Sequence, residues 1–483
     1  MNAADAIAKS LLKMETAAMT TAARASSRRT LLFVRRAACA FVASACLIGT
    51  PLLAQSPATF SRDVAPILLK KCLACHGPDK QKVNYRLDSI DALMKPGASK
   101  TAPIVAGKPA ESHLFQLITT KDPDDRMPQK DDALPAAQIA VIERWIKSGA
   151  KFDGADRGAP LASLIPRAPH PSPPAAYRQP VPVLALDFSR DGQELAASGY
   201  HEITIWNPAD GKLLRRIMNI AQRTQSLAYS PDGALLAAAS GDPGQSGEVT
   251  LIDPKKGAVE KTLVTLPDLA LDVKFSADGA RLAAACADNS IRIFSVATGK
   301  EERRIDQHAD WVMAVAWSPD GTHLASASRD RSARVFNSKT GELEQTYFGH
   351  AAPVFTVAFS SDGKSVITGG RDKKIHLWDV KDAKKKSEIA GFEEDVLRLL
   401  AAGEQVFSCS ADKSVRQHSE KAEAVRSYAG HTDWVYSLSL HAASKRLAAG
   451  GYAGEVRIWS TEDGRLLNSF FAAPGRVTAA VAK

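Results

Sequence analysis

The residues with the clearest chemistry are two cysteines and a histidine, in Cys72-Leu73-Ala74-Cys75-His76. The pattern C-x-x-C-H is the attachment signature of a c-type haem. Thiols at i and i+3 can add across the two vinyl groups of one porphyrin, and the histidine that follows is then held under the iron as its proximal ligand. Two other chemistries use C-x-x-C: a redox dithiol and half of a zinc site. The dithiol needs a βαβ setting, which the flanking sequence lacks. Zinc needs two more ligands, and no second C-x-x-C is present.

A low-spin electron-transfer haem takes a second axial ligand, and a methionine there raises the potential. Met94 lies in a polar segment before Pro96-Gly97, and Met127 lies in Asp125-Arg126-Met127-Pro128. The charged flanks of Met127 argue against the core role that methionine usually takes, and Pro128 stiffens the loop that would present the sulfur. Met127 is the expected distal ligand. His113 and an open sixth position are the alternatives.

Two helices are expected to position this set. Phe60 to Leu68 reads as a helix running into the motif, with Ser61 as cap, Asp63 in the first turn and Pro66 near the start. Val64, Ile67, Leu68 and Leu69 form its apolar face. Pro135 to Ser148 reads as a second amphipathic helix, stopped by Gly149, with Ile139, Ile142, Trp145 and Ile146 on one face.

A covalent haem requires export, and residues 1–54 fit a signal peptide. Arg28, Arg29, Arg35 and Arg36 precede a largely apolar stretch, Ala37 to Leu53, and a small-residue cleavage point at Leu53-Ala54-Gln55. Met14 and Met19 are alternative starts. The stretch is short and rich in Ala, Ser, Gly and Pro, so no stable membrane span is expected. Ser27-Arg28-Arg29-Thr30-Leu31-Leu32 resembles a twin-arginine signal, which fits poorly with haem attachment to an unfolded exported chain. Ala43-Ser44-Ala45-Cys46 lacks the leucine of a good lipoprotein site.

Prolines crowd residues 153–182, which reads as an extended spacer between domains. From Val183 the chain repeats about every 40 residues, as in a β-propeller. The anchors are Ser-x-Asp-Gly turns at Ser189, Ser230, Ser276, Ser318 and Ser360. Units lacking that turn run Val396 to His418 and Val435 to Trp459, for seven in all. The tail Val477 to Val481 resembles the first strand of another unit. Cys286 and Cys409 fall on equivalent strands of non-adjacent units, too far apart to pair, and are expected as small buried hydrophobes.

The formal charge is +9, but residues 1–54 carry seven basic and two acidic groups, leaving the rest near +4. The basicity is therefore no argument for nucleic acid. The Lys384-Lys385-Lys386 run is expected to be solvated.

Residues 60 to about 152 resemble the planctomycete-type cytochrome c domain. The resemblance rests on Phe60 to Leu68, Cys72 to His76 with Gly77-Pro78, Arg86-Leu87-Asp88, Ile104 to Pro109, Glu111-Ser112, Arg126-Met127-Pro128 and Ile142 to Ala150. It implies a haem bound by Cys72, Cys75 and His76, with Met127 axial. Val83-Asn84-Tyr85 departs from it, since that family carries small glycines there. Residues 183 to 471 resemble the WD40 family through Gly349-His350, Gly430-His431 and Trp378-Asp379. One unit has a full buried polar set, His350, Thr368, Asp372 and Trp378, which reads as structural rather than as a catalytic dyad. Elsewhere Trp becomes Phe336, Phe294 or His418, and the turn Asp becomes His201 or Ala453.

The expected architecture is therefore multidomain: a signal peptide (1–54), a small all-α c-type cytochrome domain (55–152), a proline-rich linker (153–182) and an all-β seven-bladed WD40 propeller (183–483). The expected function is an exported electron carrier of the cell envelope with one covalent haem c. The propeller would dock a redox partner or other envelope proteins. No second haem motif and no Ser/His/Asp nucleophile pattern is evident, so enzyme activity is not expected. The rival readings are a haem sensor or scaffold in which propeller binding is the main function, and a peroxidase or subunit of an oxidative polysaccharide-degrading system.

Overall fold

The computed structural model describes residues 58–77, 80–129, 132–154, 156–164 and 169–476. The expected export signal and the tail from Val477 lie outside the described residues. The chain divides into two compact units, Met1–Pro166 and Arg167–Lys483. Among the described residues no helix is long and apolar enough to cross a membrane.

The first unit is helical. A π-helical turn, Phe60–Val64, leads into α1 (Ala65–Lys71), with Pro66 in its first turn. Then come α2 (Leu73–His76), α3 (Ile90–Leu93), α4 (His113–Thr119), α5 (Ala136–Lys147) and α6 (Leu161–Leu164). The apolar spacing read in the sequence builds one core: Phe60, Val64 and Leu68 from the entry helix and Ile142, Trp145 and Ile146 from α5 are fully buried. Phe60 packs on Trp145 with ring centroids 5.2 Å apart. Ser61 does not cap the first helix. Its hydroxyl donates to Asp153 at 2.6 Å, while Asp63 accepts from both the backbone N–H (2.7 Å) and the hydroxyl (3.0 Å) of Thr59.

The expected spacer is divided between the two units. Its start belongs to the helical unit, where Leu161 is buried and donates its N–H to the Asp88 carbonyl at 2.8 Å. Its later part is pinned to the second unit. The Tyr177 hydroxyl donates to Glu202 at 2.5 Å, and the His170 N–H to Asn219 at 2.9 Å. Proline density alone does not reveal that leucine and tyrosine side chains within the stretch find cover.

The second unit is β-rich. Five antiparallel four-stranded sheets begin at Ala270, Val312, Val354, Val396 and Val435. The stretch before them is not two separate four-stranded sheets. It forms one sheet of seven, because a single 17-residue strand, Leu213–Tyr229, runs from one repeat into the next. The Ser-x-Asp-Gly turns form as read: Ser189 donates to Asp191 at 2.7 Å, Ser318 to Asp320 at 2.6 Å, and Gly192 and Gly321 take φ of +67° and +70°. That left-handed backbone is where glycine is needed. Cys286 and Cys409 are buried free thiols whose pKa burial pushes up to about 12.

Polar side chains on the innermost strands tie neighbouring sheets together. Asp272 accepts the Val315 N–H at 3.1 Å and Thr356 that of Leu399 at 3.0 Å, and between the two repeats of the seven-stranded sheet Asp187 accepts that of Tyr229 at 2.8 Å. The same bond joins the last sheet to the first, where Ser439 accepts the Phe188 N–H at 3.0 Å. One pair reaches further: Arg398 meets Asp272 at 3.2 Å and donates to the Gln225 carbonyl, linking strands that are not sequence neighbours.

Within one sheet the hydrogen-bond chain is complete. Trp378 donates its indole N–H to Thr368 (3.2 Å), Thr368 bonds His350 Nε2 (2.8 Å), and His350 Nδ1 meets Asp372 (2.7 Å). A second relay, His308 with Ser326 (2.7 Å) and Asp330 (2.8 Å), escapes the motif reading because Gln307 stands where the Gly of Gly-His belongs and Phe336 replaces Trp.

Thr368→Val leaves both His350 Nε2 and the Trp378 indole without a partner, and is expected to lower the stability of the β-rich unit by about 2–4 kcal/mol, read from its urea midpoint. Arg398→Ala strands buried Asp272 with two hydrogen bonds but no cation. A loss of about 3 kcal/mol is expected in the same measurement, and Asp272→Asn in that background should recover part of it.

Candidate functional site

Cys72 closes α1, its N–H bonded to the Leu68 carbonyl at 2.9 Å. Its own carbonyl then accepts from the N–H groups of Cys75 (3.2 Å) and His76 (3.1 Å), so α2 is a single turn. A separation of i to i+3 places the two sulfurs on one face of that turn. Both thiols are free and half-buried. Burial, with a smaller contribution from Cys75, pushes the Cys72 thiol up to about 11. A reactive dithiol needs the opposite shift. This thiol is not a poised nucleophile, and its setting is helical rather than βαβ.

His76 is held at both ends. Its carbonyl accepts the Leu87 N–H at 3.0 Å, and its ring Nδ1 lies 3.1 Å from the Tyr85 carbonyl. A carbonyl only accepts, so Nδ1 carries the hydrogen and Nε2 keeps its lone pair. That is the tautomer a metal-ligating imidazole needs, with the second-shell acceptor that orients it. The Tyr85 ring stands edge-on to His76 at 5.6 Å, and its hydroxyl donates to the Leu93 carbonyl at 3.0 Å.

The segment that delivers Tyr85 is strained. Val83 and Asn84 both have φ of +52°. Left-handed backbone is natural for glycine and unusual for a β-branched residue. The departure from glycine noted in the sequence therefore falls where the chain must turn left-handed. Gly97 closes in from the other side, where an added Cβ would stand 2.8 Å from that of Tyr85.

Met127 packs half-buried against the apolar cluster that also holds Cys72, Leu73 and Tyr85, and its N–H bonds the Leu117 carbonyl at 2.9 Å. Met94 does not sit in polar surroundings; as the C-cap of α3 it packs on the same cluster. His113 opens α4 half-buried, its N–H on the Ala102 carbonyl. Two thiols one turn apart, an imidazole with Nε2 free and an apolar lining with thioethers fit a covalent haem.

Among the described residues the one trio of metal-ligand atoms within 4.8 Å lies elsewhere, at His350, Asp372 and His376. Both His350 nitrogens are committed to the relay, and the two imidazoles stack at 4.1 Å with planes 15° apart. Parallel rings do not converge their lone pairs on one ion. Burial lowers the His376 pKa to about 4, which keeps it neutral in this stack.

Residues 72–131 match the planctomycete cytochrome C family, and residues 265–295, 299–337, 341–379 and 422–460 match the WD domain, G-beta repeat. The chain joins a planctomycete cytochrome c domain to WD40 repeats. The first match covers the cysteines, His76, Met94, His113 and Met127. No curated protein matches the chain.

Relieving the left-handed valine tests whether the Tyr85 segment is strained. Val83→Gly removes the β-branched clash at a site 64% exposed, and is expected to raise the stability of the cytochrome unit by about 1 kcal/mol, read as an upward shift of its thermal midpoint.

Proposed function

We propose that the protein is an exported electron carrier with one covalent haem c, docked to its partners through a seven-bladed WD40 propeller. In this reading Cys72 and Cys75 hold the porphyrin through thioethers, His76 is the proximal ligand and Met127 the distal one. A haem bound there supplies a one-electron couple at iron. The residues around it set its terms. The Tyr85 carbonyl fixes the His76 ring and makes the imidazole a stronger donor, which favours the oxidised state. A Met127 thioether favours the reduced state. The apolar cluster of Leu73, Tyr85, Met94 and Met127 keeps water from the group. The observation that carries the reading is the His76–Tyr85 bond beside two free thiols, since it presents Nε2 rather than Nδ1.

Three features support closure of the β-rich unit as a propeller. The Phe188–Ser439 bond between last and first sheets repeats the bonds between successive ones. Val183, Leu186 and Phe188 share a core with Ala448, Val456 and Ile458. The seven-stranded sheet holds two repeats, which brings the repeat count to seven. The signal-like N-terminus and the export requirement of thioether attachment favour the bacterial envelope.

Full-length protein produced with a haem-maturation system should show the α-band of a c-type haem and low-spin iron in both oxidation states. Met127→Ala should give a high-spin, carbon monoxide-binding ferrous form and a lower potential. No α-band in the wild type refutes the proposal; an unchanged Met127→Ala spectrum moves the distal ligand to Met94 or His113.

A further inference from the structure

The first and last sheets of the β-rich unit touch through the Phe188–Ser439 bond, yet the chain does not run directly from one to the other. The other sheets follow one another in sequence. The sheet that begins at Leu186 and the one that ends at Phe471 are separated by the whole repeat array. Among the described residues no strand of either is built into the other. Joining ends so distant costs the entropy of a long loop, so this seam opens most readily unless further bonds hold it.

Residues 170–183 supply such bonds. The segment has no helix or strand of its own, yet it is anchored at three successive places. Where the first two repeats join, the His170 N–H donates to Asn219 at 2.9 Å and its ring Nε2 lies 3.2 Å from Glu248. On the first repeat, Arg216 donates to the carbonyls of Pro174 (2.7 Å) and Ala175 (3.1 Å), and the Tyr177 hydroxyl donates to Glu202 (2.5 Å). At the last sheet, the Tyr177 N–H donates to the Pro474 carbonyl (3.0 Å), the Val183 N–H to that of Gly451 (3.1 Å), and the Ser437 hydroxyl to that of Val183 (2.8 Å).

Tyr177 is the pivot of this set. Its hydroxyl holds the first repeat while its N–H holds the chain that leaves the last sheet. The acceptor it uses is deep: Glu202 is 0% exposed and is paired with Arg216 through Nε (2.5 Å) and a terminal nitrogen (2.9 Å). That same guanidinium carries the Pro174 and Ala175 carbonyls. Carboxylate, cation and segment therefore form one connected network, in which each buried group depends on the others. A passive spacer between domains needs no such anchoring.

We infer that residues 170–183 are a clasp that keeps the ring of sheets shut, holding the last sheet to the first through Tyr177, Arg216 and Glu202. The inference rests on the reading of the repeat unit as a closed ring and adds what holds it closed.

Amide hydrogen exchange of the full-length haem protein, read by mass spectrometry, tests the clasp. Peptides covering Phe188, bonded to Ser439 across the seam, are compared with those covering Val315 and Leu399, bonded to Asp272 and Thr356 at other junctions. In Tyr177→Phe and in His170→Ala, made singly, exchange at the seam should rise about tenfold or more, the worth of one hydrogen bond to a charged group, and hold at the other junctions. Gln345→Ala is the control. It removes a side-chain bond to the Lys381 carbonyl (2.7 Å), which also joins neighbouring sheets but lies away from the seam, and should leave seam exchange unchanged. Near-UV circular dichroism and the haem spectrum, read on every preparation, confirm that the variants are folded. Unchanged seam exchange in both test variants, or an equal rise at every junction, overturns the clasp and leaves the closed ring intact. Seam amides that exchange in the wild type as fast as exposed loops overturn the closed ring and the clasp together.

Discussion

The cytochrome unit is organised around one hydrogen bond, from His76 Nδ1 to the carbonyl of Tyr85. It decides which imidazole nitrogen can face a metal. It also explains the path of the loop after the motif. The chain leaves Gly77, doubles back through left-handed Val83 and Asn84, and returns so that Tyr85 can present its carbonyl and Leu87 can donate to His76. Tyr85 is fixed in turn by its own hydroxyl on Leu93 and by the close approach of Gly97. A side chain at Gly97 would push this carbonyl off the ring, so a residue with no chemistry of its own helps orient the imidazole.

The β-rich unit solves a different problem. Its inner strands carry polar residues, Asp272, Thr356 and Ser439, at positions buried between sheets. Each finds a backbone N–H of the neighbouring sheet. Burying such groups is favourable only when they are paired, so these bonds fix the spacing and order of the sheets as well as adding stability. Asp272 is the extreme case. It is 1% exposed and serves Ser226, Val315 and Arg398 together, joining its own sheet to three others through one carboxylate. The His350 relay does the same within a sheet, with every proton running in one direction toward Asp372.

Much of this was legible in the residues. Cys72, Cys75 and His76 announced themselves because covalent attachment demands fixed spacing. The His350 set did so because each member is a rare polar residue at a recurring position. The features that escaped depend on backbone course or on partners distant in sequence. Nothing local distinguishes Ser61, whose partner is Asp153, from a helix cap. The His308 relay has lost its flanking glycine and its tryptophan while keeping its geometry. The left-handed turn at Val83 showed only as a departure from the glycines of the resembling family, because valine itself is the wrong residue for it.

The two units also differ in how they tolerate substitution. In the helical unit a few contacts, centred on His76 and Tyr85, position the chemistry, and strain at Val83 is borne locally. In the repeat unit several sheets have lost the Trp or the Asp of the relay and remain packed: Phe294 and Phe336 fill the space of the indole, and His201 reaches the Ile220 carbonyl from the position of the turn Asp. Redundant sheets can lose relay residues because the bonds between sheets carry the order. Such freedom lets surface positions diverge from sheet to sheet.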